Sequence, residues 1–282
     1  MTNIQRGIFL YLIAWTIIPI MDGIAKYLSL NLHVLQIVWA RYFFSSIIVI
    51  QIILTIYKKD FLRSENYLLQ IIRGSFLVAA TLGFFYAISI IPLADALALA
   101  FVYPLFVTIL SSLLLNEKFS INKLVAVMIG LTGVLFITRP GFAELNTAFF
   151  AALGTGFAYS LYMISTRKLN KSDTPLKTLA FTALVGLFSM SILQPIIWIN
   201  PSNIEWALML VIGLVATGGH FLIILSFRYT EASVLAPFSY WEIITNIIIG
   251  YYFFNDIPDK WTWLGIIIII GSGIYILLKK RI

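Results

Sequence analysis

Apolar runs of about twenty residues, separated by short polar interruptions, fill this chain almost from end to end. They lie at 7–29, 33–57, 67–90, 93–115, 121–138, 146–167, 175–199, 204–227, 232–254 and 261–278. A bilayer core of about 30 Å takes roughly twenty helical residues to cross, and in lipid a segment must satisfy its own backbone hydrogen bonds. The pattern predicts ten transmembrane helices, and so an all-α integral membrane protein. The first run follows Arg6, as a signal peptide's apolar region would. It is too long for that region and has no small-x-small cleavage site, which makes it a spanning helix. The longest polar stretches, 58–66 and 167–175, have the length of loops and leave no room for a soluble domain.

Charge in the interruptions orients the helices. With the N-terminus inside, the inside loops carry Arg6, Lys58, Lys59, Arg63, Lys118, Lys123, Arg167, Lys168, Lys171, Lys177, Arg228, Lys279, Lys280 and Arg281, and the outside loops only Arg139 and Lys260. This bias predicts both termini in the cytoplasm and a place in the cell inner membrane. The chain also echoes itself. Ala80-Thr81-Leu82-Gly83 and Ala94-Asp95-Ala96 are followed 136 residues on by Ala216-Thr217-Gly218-Gly219 and Thr230-Glu231-Ala232. Asn116-Glu117 is echoed by Asn255-Asp256, and Gly130 with Gly133 by Gly271 with Gly273. Two copies, 1–142 and 143–282, each have five helices. An odd number makes the second copy enter from the opposite side, so the expected architecture is two inverted five-helix repeats, which can open alternately to either face.

Composition narrows the function. Only 11% of residues are charged and 61% are hydrophobic, against about a quarter charged in a soluble domain. The net charge of +7 is scattered through short loops, with no broad basic face for nucleic acid. Without cysteine and with two histidines, His33 and His220, neither a metal centre nor a thiol nucleophile is expected. No nucleophile–base set, cofactor motif, phosphate loop or channel filter stands out, which disfavours an enzyme or a channel. Transport energy then comes from a gradient or from exchange, and ten helices can enclose a site within a functional monomer.

Charged side chains at membrane depth are costly unless paired, hydrated or able to snorkel, so each is a functional candidate. Asp22 and Arg41 both fall roughly 10 Å below the outer surface at 1.5 Å per residue. An ion pair between them would fix two helices or gate a site, while Asp22 and Lys26, spaced i, i+4, are an alternative pair. Arg73 either snorkels to the cytoplasmic head groups or points inward as a cation for a carboxylate or phosphate. Glu242 is a candidate proton acceptor or counter-ion for an amine, with Asn246 one turn on. His220, beside Gly218 and Gly219, is either packed and neutral or a proton relay. Tyr103, Tyr159, Tyr162, Tyr240 and Trp241 are the candidate cavity wall, able to stack on a planar or cationic substrate. Trp206, Trp261 and Trp263 are interfacial anchors. Gly83, Gly154, Gly156, Gly218 and Gly219 permit close helix approach, and Pro104 and Pro237 kink the fourth and ninth helices. Asp95 is a marginal candidate.

The stretch Pro92-Leu93-Ala94-Asp95-Ala96-Leu97-Ala98, through Pro104-Leu105 to Leu113-Leu114-Leu115-Asn116-Glu117 and the helix with Gly130 and Gly133, resembles the drug/metabolite transporter superfamily, in particular proteins with two EamA-type halves. In that family the pattern marks the third-to-fourth helix hairpin and the start of the fifth. Asp22-Gly23-Ile24-Ala25-Lys26-Tyr27-Leu28, Leu32-His33, Gln36, Arg41 and Arg73-Gly74 look like the branch with S-adenosylmethionine and riboflavin importers. The second half departs from the first, with Pro237 before Tyr240-Trp241-Glu242 where the first has Tyr103-Pro104-Leu105-Phe106. The resemblance implies a secondary transporter of a small polar or zwitterionic metabolite, with riboflavin import or metabolite export as alternatives. Its expected partners are that metabolite, the lipid bilayer, and either an exchanged solute or a coupling proton on Glu242, Asp22 or His220.

Overall fold

The computed structural model describes residues 2–57, 63–91, 93–139, 146–170, 172–254 and 259–279. Lys58, Lys59, Lys171, Lys280 and Arg281 of the inside loops, Asn255 and Asp256 of the repeat, Pro92, and the side chains of Ala94 and Asp95 lie outside the described residues. Every regular element among the described residues is helical: α1 (Asn3–Leu28), α2 (Val34–Tyr57), α3 (Tyr67–Ile90), α4 (Leu93–Ala100), α5 (Tyr103–Leu114), α6 (Ile121–Thr138), α7 (Thr147–Leu169), α8 (Pro175–Ser191), α9 (Gln194–Ile197), α10 (Asn203–Tyr229), α11 (Ala232–Leu235), α12 (Trp241–Phe254) and α13 (Lys260–Lys279). Among the described residues, six segments are long and apolar enough to cross a membrane. Helix starts follow local chemistry. Thr2 with Gln5 and Ser202 with Glu205 form capping boxes that satisfy the first free N–H groups of α1 and α10.

Three apolar runs expected to be continuous helices are not. The run 93–115 divides into α4 and α5 at Phe101 and Val102, with Pro104 in the first turn of α5. Proline has no N–H to donate and its ring clashes with the carbonyl four residues back, so α4 stops instead of kinking. The run 232–254 enters as the single turn α11, tightens into a 3-10 segment at Ala236–Tyr240 that contains Pro237, and resumes as α12. The run 175–199 ends its main helix at Ser191, and α9, with Pro195, follows as a separate turn. Pro19, by contrast, stays inside the unbroken α1.

The two parts of the chain interleave. α1 packs along α10, α3 along α7, α6 along α13 and α2 along α8, so each pairing joins an element before residue 139 to one after residue 146. Small residues set the closest approaches. A Cβ added at Gly83 would lie 2.6 Å from Thr155 Oγ1, and one at Gly133 would lie 2.9 Å from the Gly265 carbonyl oxygen. Gly156 and Gly219 are tight in the same way, whereas a Cβ at Gly154 or Gly218 would meet nothing within 4 Å. The last two glycines therefore do not serve the close packing expected of them.

Candidate functional site

The breaks at 101–102 and 236–240 lie beside a cavity with about 570 Å³ of space not filled by protein atoms. Its wall is built by Trp15, Ile18, Met21 and Asp22 of α1, Arg41 of α2, Leu77, Ala80, Thr81, Phe84 and Phe85 of α3, Leu97, Ala100 and Phe101 at the first break, Tyr103 of α5, Thr155 and Tyr159 of α7, His220 of α10 and Glu242 of α12. The second break delivers Glu242 to the first turn of α12, where the positive end of the helix favours a carboxylate.

Charge in this wall is unevenly satisfied. The carboxylates of Asp22 and Glu242 are buried, at 3% and 5% exposure, and neither has a hydrogen bond or ion pair among the described residues. Arg41 is buried too, yet its bonds go elsewhere: Nη1 donates to Thr81 Oγ1, and Nη2 lies 2.7 Å from His220 Nε2. The Asp22–Arg41 and Asp22–Lys26 ion pairs that the sequence allows are therefore not formed. Lys26 instead donates to the carbonyls of Ile88 and Ile91, at 3.0 and 3.4 Å. Two further polar atoms on the wall, Trp15 Nε1 and Tyr103 Oη, are buried without a well-formed hydrogen bond among the described residues. Their rings form one cluster with Tyr159, the centroids being 6.1 Å apart for Trp15–Tyr103 and Trp15–Tyr159 and 5.0 Å for Tyr103–Tyr159.

Behind Arg41 a chain of polar groups leads from His220 on the wall into the protein. His220 Nδ1 is 3.1 Å from Tyr162 Oη, which accepts from Arg73 Nη2 at 3.0 Å. Arg73 is wholly buried. Its Nε donates to Thr166 Oγ1 at 2.6 Å, its Nη1 to the Thr178 carbonyl at 3.0 Å and to Thr182, and its guanidinium lies over the Tyr162 ring at 4.5 Å. Arg73 neither snorkels nor offers a cation to the cavity, because three threonine groups and a tyrosine already occupy its donors.

Of the residues singled out in the sequence, Asp22, Arg41, Tyr103, Tyr159, His220 and Glu242 meet on one wall. Arg73 and Tyr162 stand behind it. Tyr240, Trp241 and Asn246 are elsewhere. The 3-10 segment turns Tyr240 onto Phe101, with ring centroids 5.8 Å apart, and Trp241, next in the chain, points away and donates to Thr16 Oγ1 at 3.0 Å. Asn246 shares a helix face with Glu242 but spends its amide on the Glu242 carbonyl, at 3.0 Å. Trp15 was missed, although it precedes Asp22 by seven residues, two helical turns, and so shares its face.

Toward the Asn3 end of α1 the bundle is tied shut by charge. Asn116 adopts a left-handed φ of 55°, and Glu117 N–H returns to the Ser111 carbonyl at 3.3 Å. The Glu117 carboxylate then accepts from the N–H groups of Ala232 and Ser233, at 3.2 and 3.3 Å, and lies 3.5 Å from Arg167. Lys123 pairs with Glu231 at 2.6 Å beside it.

Residues 5–139 and, separately, 146–278 match the EamA-like transporter family. The chain belongs to the EamA-like transporter family. It is a multi-pass membrane transporter of the drug/metabolite superfamily, which gives the buried charges of its cavity a setting. This EamA-like chain is 27% identical to the S-adenosylmethionine uptake transporter of Rickettsia prowazekii (strain Madrid E) over 277 residues, covering 98% of this chain and 94% of that protein. It is 24% identical over 275 residues to the riboflavin transporter of Vibrio cholerae, covering 96% and 92% of the two chains. Over 290 residues it is 26% identical to a pseudopaline exporter of Pseudomonas aeruginosa, covering 99% and 98%. A solved crystal structure shares the fold with a TM-score of 0.82 at 15% identity, covering 99% of this chain and 97% of that one.

Proposed function

We propose that this EamA-like protein is a secondary transporter of a small zwitterionic metabolite bearing positive charge, and that S-adenosylmethionine is the first compound to try. The observation that carries the reading is the pair of unpartnered carboxylates, Asp22 and Glu242, on an aromatic wall beside Arg41. A buried carboxylate without a partner calls for a cation, aromatic faces favour one, and the unused N–H groups of Arg41 suit a carboxylate. Similarity to the rickettsial S-adenosylmethionine uptake proteins points the same way.

Alternating access between two inverted five-helix halves, 1–142 and 143–282, is the proposed mechanism. Two separate family matches, one per half, support it. So does the packing. If the five spanning segments of each half correspond in order, the α1–α10 and α3–α7 pairings exchange with each other, and α6–α13 and α2–α8 map onto themselves. Ten spanning segments with both termini in the cytoplasm, a place in the inner membrane and a functional monomer complete the proposal, with a proton or an exchanged solute supplying the energy.

Uptake of isotope-labelled S-adenosylmethionine, amino acids and riboflavin into proteoliposomes, with and without a pH gradient, tests the function. Saturable S-adenosylmethionine uptake whose half-saturation rises about tenfold in Asp22→Asn and in Glu242→Gln is the expected result. Uptake of uncharged solutes alone, unaffected by these variants, would overturn the substrate class.

A further inference from the structure

The hydrogen bonds around His220 admit one proton placement. A guanidinium only donates, so with Arg41 Nη2 at 2.7 Å the Nε2 atom of His220 must be the acceptor and carries no proton. The proton of the neutral ring is then on Nδ1, where Tyr162 Oη, 3.1 Å away, accepts it while also accepting from Arg73 Nη2 at 3.0 Å. Adding a proton at Nε2 would set an N–H and a positive charge directly against the Arg41 guanidinium. Protonated His220 and the Arg41–His220 contact exclude each other.

We propose that His220 is a proton switch for the cavity, with Tyr162 and Arg73 as positioning residues that hold it in the Nδ1–H form. When Nε2 takes a proton, Arg41 is released from His220. The groups facing it are then decisive. Tyr42 comes from α2, Tyr162 and Tyr159 from α7, Arg73 from α3 behind Tyr162, and Asp22 of α1 and Glu242 of α12 line the same cavity. The two carboxyl groups among them, Asp22 and Glu242, are held ionised by a bound substrate cation, and the freed guanidinium turns to them. There it competes with the positive group of a bound substrate, and acidification expels the substrate cation. This coupling rests on the cationic-substrate reading of the cavity; the tautomer and the release of Arg41 do not.

Since the chain holds two histidines, His33→Gln leaves His220 as the sole imidazole for nitrogen-15 labelling in nanodiscs. The expected spectrum at neutral pH has a protonated Nδ1 and a bare Nε2. On acidification Nε2 should protonate and the Arg41 guanidinium signal should move with the same midpoint. Tyr162→Phe, which removes the acceptor on the Nδ1 side, should loosen the Arg41–His220 contact that requires this tautomer and let the Nε2–H form appear beside it, a change that a merely structural tyrosine would not produce. An Nε2–H tautomer at neutral pH, or an Arg41 signal that ignores the titration, would overturn the switch. In a parallel binding assay, S-adenosylmethionine affinity should fall at least about tenfold through that midpoint, and His220→Gln, which accepts and donates but cannot take the proton, should remove the step at that midpoint and leave only the fall that comes from protonating Asp22 and Glu242. Affinity that does not follow the midpoint overturns the coupling. A spectrum as expected, with no S-adenosylmethionine bound at any pH, upholds the switch and removes the substrate reading.

Discussion

Arg41 and Arg73 are both buried guanidiniums at membrane depth, on neighbouring helices, yet their surroundings divide their roles. Arg73 is enclosed by Thr166, Thr178, Thr182 and Tyr162 and reaches no cavity. Arg41 spends two donors, on Thr81 and His220, and lines the cavity together with Asp22 and Glu242. Burial alone does not mark a functional charge. What separates the two is whether the protein itself has used up the donors, since a satisfied ion is structural and an unsatisfied one waits for a ligand.

The sharpest way to break this comparison is to delete each guanidinium. Arg73→Ala leaves Tyr162 and the threonine groups without their donor and should lower stability by about 1–3 kcal/mol for each buried group left unsatisfied. Thermal unfolding in detergent would read it, and a melting point unchanged from wild type would sink the structural role. Arg41→Ala should instead cost transport, by roughly 2–3 kcal/mol in affinity for a carboxylate-bearing solute, as for a lost hydrogen bond to a charged group. Equal losses of stability in the two variants would erase the distinction.

Smaller changes sharpen it. Asp22→Asn and Glu242→Gln keep shape and remove charge, and each should weaken substrate binding about tenfold, or 1.4 kcal/mol, while leaving the fold at least as stable, because neither carboxylate has a protein partner to lose. Binding titration alongside the melting curve separates these outcomes. Trp15→Phe retains the ring and deletes an N–H without a well-formed hydrogen bond among the described residues. A loss of about 1 kcal/mol in substrate affinity, with stability unaltered, is expected if that N–H serves a ligand. An unchanged Kd would return Trp15 to packing.

The smallest effect belongs to the exposed Arg139–Asp259 pair, 2.9 Å apart. The Thr262 N–H holds the Asp259 carboxyl below the usual carboxylate range, assisted by the Thr262 hydroxyl and Arg139. Its folded-state pKa is depressed, so its contribution is present above the ordinary carboxylate pKa and fades as pH falls through the lowered value. Asp259→Asn should leave transport unchanged, and any difference from wild type in melting point should vanish in acid. A difference that grows in acid would contradict that sign.

Much of the fold was legible along the chain, because lipid forces each crossing to be a run of about twenty apolar residues. The breaks were less so. Pro104 and Pro237 announced a disturbance, but whether a proline kinks a helix or ends it depends on what receives the freed carbonyls, and Pro19 sits inside an unbroken α1. In the candidate site, charge at membrane depth pointed to Asp22, Arg41, His220 and Glu242. The aromatic candidates near the second break misled, because the 3-10 segment changes the angle between successive side chains, sending Tyr240 and Trp241 apart. Trp15 could have been found by following the Asp22 face back two turns.

By itself the sequence determined the solvent, the all-helical class and the family, since those follow from local apolar runs and from motifs such as Leu113-Leu114-Leu115-Asn116-Glu117. Only the tertiary structure decided which buried charges are satisfied. The partners of Arg73 lie some ninety to a hundred residues away in sequence, and His220 meets Arg41 from 179 residues away. A hydrogen bond requires two groups to meet at about 3 Å, and helix packing, which no local pattern encodes, is what brings them there.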